Sequence, residues 1–155
     1  MDIRTTDGSG QIVIAGAGYA GLHVALRLTA KRRDDPQMAV TLVDRRDYHQ
    51  ALTELPRVAA GTRAADAVRI PLHDVLDKQV RFVQTEIDDI DVAGQQLLTG
   101  AGPISWRRLV LALGSRPNDF AIPGLAERAL QLYSVDDAER VWAAVNAAES
   151  GSPAS

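Results

Sequence analysis

The sequence contains 155 residues, of which 46% are hydrophobic and 24% are charged, and its formal net charge is −3. This length allows one domain with a core but not two large ones, and the charge gives no indication of a nucleic-acid partner. Because the chain has no cysteine, it can form no disulfide, thiolate nucleophile or cysteine-ligated metal site, and we predict no metal. Residues 1–10 are polar, and no apolar run approaches the roughly 20 residues of a membrane-spanning helix. We therefore expect a disordered leader and a soluble, cytoplasmic chain.

The first predicted elements are a strand, a helix and a second strand. Ile12 to Ala15 is a continuous apolar run, typical of a parallel strand buried on both faces. Apolar residues then recur at helical spacing, which predicts a helix packed on the sheet through Ala20, Val24 and Leu28 and their neighbours Leu22, Ala25 and Leu26. The cations Lys31 to Arg33 suit the negative end of that helix dipole. Residues 39–43 predict a second buried strand, so the segment forms a βαβ unit.

The turn between the first strand and the helix has the pattern G-x-G-x-x-G, written here Gly16-Ala17-Gly18-Tyr19-Ala20-Gly21. The first glycine permits a tight turn, the second lets the backbone approach a pyrophosphate, and the third lets helix and strand pack closely. The N–H groups of the first helical turn then face the phosphates, and the helix dipole adds to the attraction. The turn predicts dinucleotide binding rather than a purely structural role.

The end of the second strand bears on which nucleotide is bound. Asp44 lies about 20 residues beyond Gly21, the separation expected of a ribose-binding carboxylate. Asp44 can accept hydrogen bonds from ribose hydroxyls and would repel a 2′-phosphate. Arg45 and Arg46 can attract that phosphate, or can simply be solvated after the strand. These residues leave NAD, NADP and FAD open.

The middle of the chain departs from a simple alternation of strands and helices. Residues 47–61 predict a loop and then a short helix closed by Gly61, with Pro56 kinking that helix or lying at its start. Residues 67–78 predict an extended segment followed by a helical turn. Short strands are then expected at 80–83, 87–92 and 96–99.

The last informative segment is a predicted buried strand from Leu109 to Leu113 that runs into Gly114. Such a strand brings backbone to the carboxyl edge of the sheet, where ligands of open α/β folds bind. The predicted fold is therefore α/β, a Rossmann-like FAD- or NAD(P)-binding domain with a parallel sheet and an inserted β-meander.

Together these motifs resemble the N-terminal part of the pyridine nucleotide-disulfide oxidoreductases, which are FAD-dependent enzymes with two dinucleotide-binding domains. The resemblance runs from Ile12 to about Ala148 and rests on IVIAGAGYAGL, LVD and LVLALGSRPNDFAIPG. The last of these is similar to the family's second flavin motif, in which Leu113 replaces the usual threonine while Gly114 is kept. The segments DRRDYHQALTELPRVAAG, VRIPL and IPGLAERALQLYSVDDAERVW are most similar to type II NADH dehydrogenases.

The resemblance implies bound FAD, NADH or NADPH as electron donor, and a quinone or another small electron acceptor as partner. It implies a cofactor site in which the glycine turn holds the pyrophosphate, an acidic strand end holds the ribose and the late strand flanks the cofactor. The residues of that site are Gly16, Gly18, Tyr19, Ala20, Gly21, Asp44, Arg45, Ala112 and Gly114. No catalytic residue is assigned.

Other polar residues have two interpretations each. Tyr48 and His49 either approach the flavin or lie in a surface loop. Glu54 either touches a quinone path or lies on a solvated helix face. His23 and His73 are expected to be structural or exposed.

The resemblance also implies segments that are absent here, namely an NADH-binding domain and a membrane-contacting region. We therefore expect residues 11–148 to form an FAD-binding domain that is incomplete relative to the family, followed by a linker at 149–155. The chain would be a fragment or a split subunit, with the NADH-binding portion on another chain. It would be cytoplasmic, or peripheral at the cytoplasmic face of the membrane through the absent regions.

The leading hypothesis is the FAD-binding portion of an NAD(P)H oxidoreductase that is inactive or weakly active alone. The alternative is a non-catalytic module that binds FAD or NAD(P) and acts with a partner chain. An independent NAD(P)-dependent dehydrogenase is disfavoured, because no Tyr-x-x-x-Lys or comparable proton-transfer group is evident.

Overall fold

A computed structural model describes residues 11–31 and 37–151 of the chain. The predicted leader, together with Arg32 and Arg33 of the predicted helix cap, lies outside the described residues. The chain divides into two compact units, one formed by the residues up to His49 with Pro71–Gly114, and one formed by Gln50–Ile70 with the residues from Ser115 onward. The predicted bounds of the FAD-binding domain stay a prediction.

The secondary structure alternates short strands with helices of very different length. In chain order the strands are β1 (Gln11–Ala15), β2 (Ala39–Asp44), β3 (Tyr48–Gln50), β4 (Arg69–Pro71), β5 (Val80–Gln84), β6 (Ile87–Asp91), β7 (Gln96–Thr99), β8 (Ile104–Ser105) and β9 (Arg108–Leu111). The helices are α1 (Tyr19–Lys31), α2 (Leu55–Ala59), α3 (Leu72–Val75), α4 (Leu125–Arg128) and α5 (Val135–Glu149). Within the described ranges, no helix is long and apolar enough to cross a membrane.

The first unit is built on a parallel sheet with the strand order β5-β2-β1-β9. Ile14 in β1 lies opposite Leu42 in β2 and Val110 in β9. The two continuous apolar runs do form central strands buried on both faces, since Val13, Ile14, Leu42 and Val43 have no exposed surface. Ile14 and Leu42 pack towards α1, whereas Val13 and Val43 pack towards the antiparallel strands. The Rossmann-like α/β fold is thereby confirmed.

The predicted face of α1 does pack on the sheet through Leu22, Val24, Ala25 and Leu28. The prediction was wrong for Ala20 and Leu26. Gly21 and Ala25 are its buried residues, whereas Ala20 is exposed and Leu26 is 40% exposed. A Cβ atom at Gly21 would lie only 1.8 Å from the carbonyl oxygen of Gly16, so the helix approaches the sheet most closely at that residue. This close approach turns the helix so that Ala25, one turn later, also faces the sheet.

The inserted antiparallel strands are β6, β7 and β8, paired in that order. The run at 80–83, which we predicted among the short inserted strands, instead pairs in parallel with β2 as strand β5. Its first residue, Val80, is buried in the same apolar cluster as Val40 and Leu42. A short apolar run does not reveal its partner, and burial against β2 decides the pairing here.

The predicted buried strand at 109–113 was wrong in both bounds and burial. β9 ends at Leu111, and the side chains of Leu111 and Leu113 are 60% and 57% exposed. In the described residues β9 is the edge strand of the sheet, paired with β1 alone. Leu109, Val110 and Ala112 are partly buried.

The second unit packs α2 against α5 around Leu55, Val58, Val68, Val135 and Ala138. Pro56 lies in the first turn of α2, so it begins the helix rather than kinking it. Gly61 follows the helix with a φ of +68°, and a Cβ atom there would come within 2.3 Å of the Trp142 ring.

The prediction of a loop from residue 47 was wrong for Tyr48–Gln50, which form β3 and pair with β4.

Helix α5 begins at a reciprocal capping box. The Ser134 hydroxyl accepts a hydrogen bond from the Asp137 N–H, and the Asp137 carboxylate accepts one from the Ser134 N–H at 2.8 Å. Burial raises the pKa of Asp137, but hydrogen bonds from Ser134, Arg140 and Tyr133 outweigh burial. The pKa of the Asp137 carboxyl is therefore held below its usual value of 3.8.

Candidate functional site

The glycine turn after β1 is shaped by two close backbone approaches. Gly16 has a φ of +101°, and a Cβ atom there would lie 2.3 Å from the carbonyl oxygen of Ala112. The Gly16 N–H donates to the Val43 carbonyl at 2.8 Å. Gly21 meets the carbonyl of Gly16, as described for α1. Any side chain at Gly16 or Gly21 would therefore force the turn, β9 and α1 apart.

Gly18 lies in quite different surroundings. A Cβ atom at Gly18 would meet no heavy atom within 4 Å, and the residue is exposed. Tyr19, at 49% exposure, and the exposed Ala20 follow it in the first turn of α1. The first N–H groups of a helix have no acceptor within the helix, and they carry the positive end of its dipole. The space beside Gly18 therefore lies at the positive end of the α1 dipole, and no heavy atom fills it within 4 Å of the Cβ position.

Ala17, between the two glycines, is held through both of its backbone polar groups. Its N–H donates to Asp44 Oδ2 at 2.6 Å, and its carbonyl oxygen lies 3.1 Å from His49 Nδ1. A carbonyl oxygen only accepts, so Nδ1 carries the proton in this hydrogen bond. The Ala17 residue is 3% exposed and His49 is 5% exposed. The Tyr19 ring meets the His49 ring edge to face, with the centroids 4.6 Å apart.

His49 is the residue that the sequence interpretation placed least well. We expected either a contact with the flavin or a position in a surface loop. The surface loop was wrong, because the side chain is buried in β3 against the glycine turn, and the contact with the flavin stays a prediction. A strand of three residues is too short to show an alternating pattern, so no sequence signal marked this burial.

Asp44 uses both carboxylate oxygens within the protein. Oδ2 accepts from Ala17 and Oδ1 accepts from the Arg46 N–H at 2.9 Å. Each carboxylate oxygen can accept more than one hydrogen bond, so a ribose hydroxyl can still bind. The Arg45 guanidinium lies 3.7 Å from Glu86 in an exposed pair, and the Arg46 guanidinium lies 5.8 Å from the centre of the Tyr48 ring.

Ala112, the residue after β9, lies against the glycine turn. Its N–H donates to the Ala15 carbonyl at 2.8 Å, next to the close approach at Gly16. Gly114, two residues further on, is exposed and has a φ of +75°, a conformation that favours glycine. The ends of β1, β2 and β9 therefore contribute Gly16, Asp44 and Ala112 to one edge of the parallel sheet.

The remaining candidate residues are His23, His73 and Glu54. His23 is exposed on α1, and the His73 side chain is 81% exposed, 3.2 Å from Asp74. Glu54 belongs to the second unit, where its carboxylate lies 3.2 Å from Arg57 and 3.4 Å from Arg63.

A parallel sheet whose first strand enters such a glycine turn, in front of a helix N-terminus, defines a Rossmann-like fold. Residues 10–148 match the family model described as pyridine nucleotide-disulphide oxidoreductase. The chain belongs to the pyridine nucleotide-disulphide oxidoreductase family.

Curated relatives include type II NADH:quinone oxidoreductases from two staphylococci. The protein from Staphylococcus saprophyticus is 33% identical over 132 residues, which cover 84% of this chain and 33% of the relative. The protein from Staphylococcus aureus is 34% identical over 126 residues, covering 81% of this chain and 31% of the relative. The chain thus spans about a third of the length of the relatives that it matches.

Solved structures share the fold. A sulfide:quinone oxidoreductase from Aquifex aeolicus superposes with a TM-score of 0.80 at 24% identity, covering 90% of this chain and 32% of that one. The NDH2 protein of Plasmodium falciparum superposes with a TM-score of 0.74 at 23% identity, covering 85% of this chain and 28% of that one.

Proposed function

We propose that this chain is the FAD-binding portion of a flavoprotein oxidoreductase that passes electrons from NADH or NADPH through FAD to a quinone or similar acceptor. The observation that carries the proposal is the Gly18 position, where the turn leaves open space in front of the N-terminus of α1. The two staphylococcal relatives, both named as type II NADH:quinone oxidoreductases, support the direction of electron flow.

The residues of the turn fit the diphosphate of a dinucleotide. A missing Cβ atom at Gly18 lets phosphate oxygens approach the backbone, and the helix terminus offers N–H donors and a positive potential. In this proposal Gly16, Gly18, Tyr19, Ala20 and Gly21 surround the pyrophosphate.

The edge of the sheet supplies the rest of the proposed site. Asp44 accepts from the adenosine ribose with the hydrogen-bonding capacity that Ala17 and Arg46 leave, and Arg45 lies beside it. Ala112 and Gly114 flank the cofactor where β9 ends. When bound, FAD supplies the electron-transfer chemistry, while these residues bind and orient it.

The remaining parts of the proposal concern the whole protein. Residues 11–148 would be the FAD-binding domain, and the NADH-binding portion would be supplied by residues that this chain does not contain. We place the protein in the cytoplasm or peripherally at the cytoplasmic face of the membrane. The curated relatives are about three times as long as the matched segment, which leaves room for those functions.

Flavin binding is tested first, on the purified chain with added FAD. We expect flavin absorption bands to remain with the protein through gel filtration. Gly18→Ala should weaken binding with the melting temperature unchanged, because a Cβ atom there meets no protein atom within 4 Å. The larger side chain of Gly18→Val should abolish binding. Gly100→Ala is the matched control, since a Cβ atom at Gly100 makes only an ordinary contact, at 3.5 Å from Thr85.

Other results of the FAD-binding test would contradict the proposal or replace it. A chain that ignores FAD, or a Gly18→Val variant that binds it like the wild type, contradicts the proposed site. If the chain binds NADH or NADPH but not FAD, the non-catalytic nucleotide-binding module is the better description.

Electron transfer is tested on the FAD-loaded chain without oxygen. NADH should bleach the flavin bands once an NADH-binding portion from a relative is added, and a quinone should restore them. If the bands stay unchanged with NADH and that portion present, the oxidoreductase part of the proposal fails.

A further inference from the structure

The hydrogen bond between His49 and Ala17 joins a buried side chain to the glycine turn. The two atoms lie 3.1 Å apart, and the residues are separated by 32 positions in the sequence. On the other side of the same residue, Asp44 accepts from the Ala17 N–H at 2.6 Å. Ala17 is therefore fixed from both sides, by the last residue of β2 and by a residue of β3.

The bond to His49 determines the direction of a second group. The Ala17 carbonyl and the Gly18 N–H belong to one planar trans peptide, so they point in opposite directions. When the carbonyl is turned towards His49, the Gly18 N–H is turned away from it. Gly18 is also the residue beside which the structure leaves open space.

Without this bond the peptide would have considerable freedom. Glycine residues lie on both sides of Ala17, and glycine adopts backbone angles that other residues avoid. The Asp44 contact fixes the peptide before Ala17, whereas the His49 contact acts on the peptide after it. The edge contact with Tyr19 helps to keep the imidazole plane in place.

We propose that His49 is a positioning residue, which, in its Nδ1–H form, holds the Ala17–Gly18 peptide so that the Gly18 N–H is directed at a nucleotide phosphate. This inference rests on the proposed nucleotide site and adds to it a residue outside the glycine motif. His49 itself does not touch the phosphate in this scheme.

Two variants of His49 separate the hydrogen bond from the packing. His49→Leu removes the donor and keeps an apolar side chain, whereas His49→Asn keeps an N–H group near the place of Nδ1. We expect FAD binding to weaken about three- to tenfold in His49→Leu, the effect of one lost hydrogen bond, and to recover in His49→Asn. His23→Leu, on the exposed side of α1, is the control and should bind like the wild type.

A measurement without FAD tests the same inference independently. Nitrogen-15 spectra of the chain should show the His49 proton on Nδ1, and the Gly18 amide signal should shift in His49→Leu and return in His49→Asn. If the wild type binds no FAD, the proposed function fails while these signals still decide the role of His49.

Three results would overturn the inference. The first is FAD binding by His49→Leu within about twofold of the wild type, which is less than a lost hydrogen bond costs. The second is a His49→Asn variant no better than His49→Leu, and the third is a wild-type ring protonated on Nε2 alone.

Discussion

Replacing Gly21 with alanine should unfold the first unit more easily, although alanine favours helices. The new Cβ atom would lie 1.8 Å from the Gly16 oxygen and 3.2 Å from the Ala112 Cβ atom, where ordinary contact begins at 3.4 Å. The helix must therefore move by about 1.6 Å against backbone, which cannot rotate aside as a side chain can.

The size of the effect follows from two opposing contributions. Overpacking of a close contact costs about 1–3 kcal/mol or more, and a backbone contact belongs at the upper end. Alanine in place of glycine within a helix stabilises the folded state by about 1 kcal/mol. We expect a net loss of about 2 kcal/mol in the free energy of unfolding, or a fall of about 4–8 °C in Tm for a chain of this size.

The assay can follow the first unit alone. The chain has two tryptophans, and Trp106 belongs to the first unit whereas Trp142 belongs to the second. In a Trp142→Phe background, Trp106 fluorescence during urea unfolding reports the first unit. Gly18→Ala in that background should unfold within about 0.5 kcal/mol of the parent, because it adds an atom to open space. A Gly21→Ala variant as stable as Gly18→Ala would refute the close approach of α1 to the turn.

Three predictions concern the second unit. Ser134→Ala should cost about 1 kcal/mol in urea unfolding, since it removes the N-cap acceptor of α5, and an unchanged midpoint would argue against the capping box. Because the folded-state pKa of Asp137 lies below 3.8, its stabilisation should be complete above that pH and fall as the pH drops towards the lower folded-state pKa. Asp137→Asn should flatten this acid dependence, and an equally steep profile would contradict the assignment. Gly61→Ala should destabilise the unit by about 1–2 kcal/mol through its positive φ alone and shift the Trp142 fluorescence by displacing the ring, whereas an unmoved spectrum would count against that contact.

Local sequence patterns predicted the structure correctly where a residue's environment depends on its neighbours in sequence. The apolar run from Ile12 to Ala15 predicted β1, and the spacing of the glycines predicted a turn between strand and helix. Gly61 likewise marked the end of α2.

The pairing of strands that lie far apart in the chain could not be predicted from the sequence. The run from Val80 resembles its neighbours, yet it joins the parallel sheet because its partner β2 buries it. The exposure of Leu111 and Leu113 follows from an edge position that no pattern reveals. The sequence marked His49 as a candidate, but its hydrogen bond with Ala17 depends on the fold. The two hydrogen bonds that fix Ala17 have no signature in the glycine motif itself.

The two hydrogen bonds that fix Ala17 also determine when the glycine turn can form during synthesis and refolding. Asp44 and His49 follow Ala17 by 27 and 32 residues, and the close contact of Gly16 is with Ala112, far later in the chain. A ribosome releases the glycine turn early, but the turn can take its final shape only after these distant segments have been made and have closed their loops. Nucleotide added to a refolding chain should therefore leave the folding rate unchanged and slow unfolding instead, because the ligand recognises a shape that forms late.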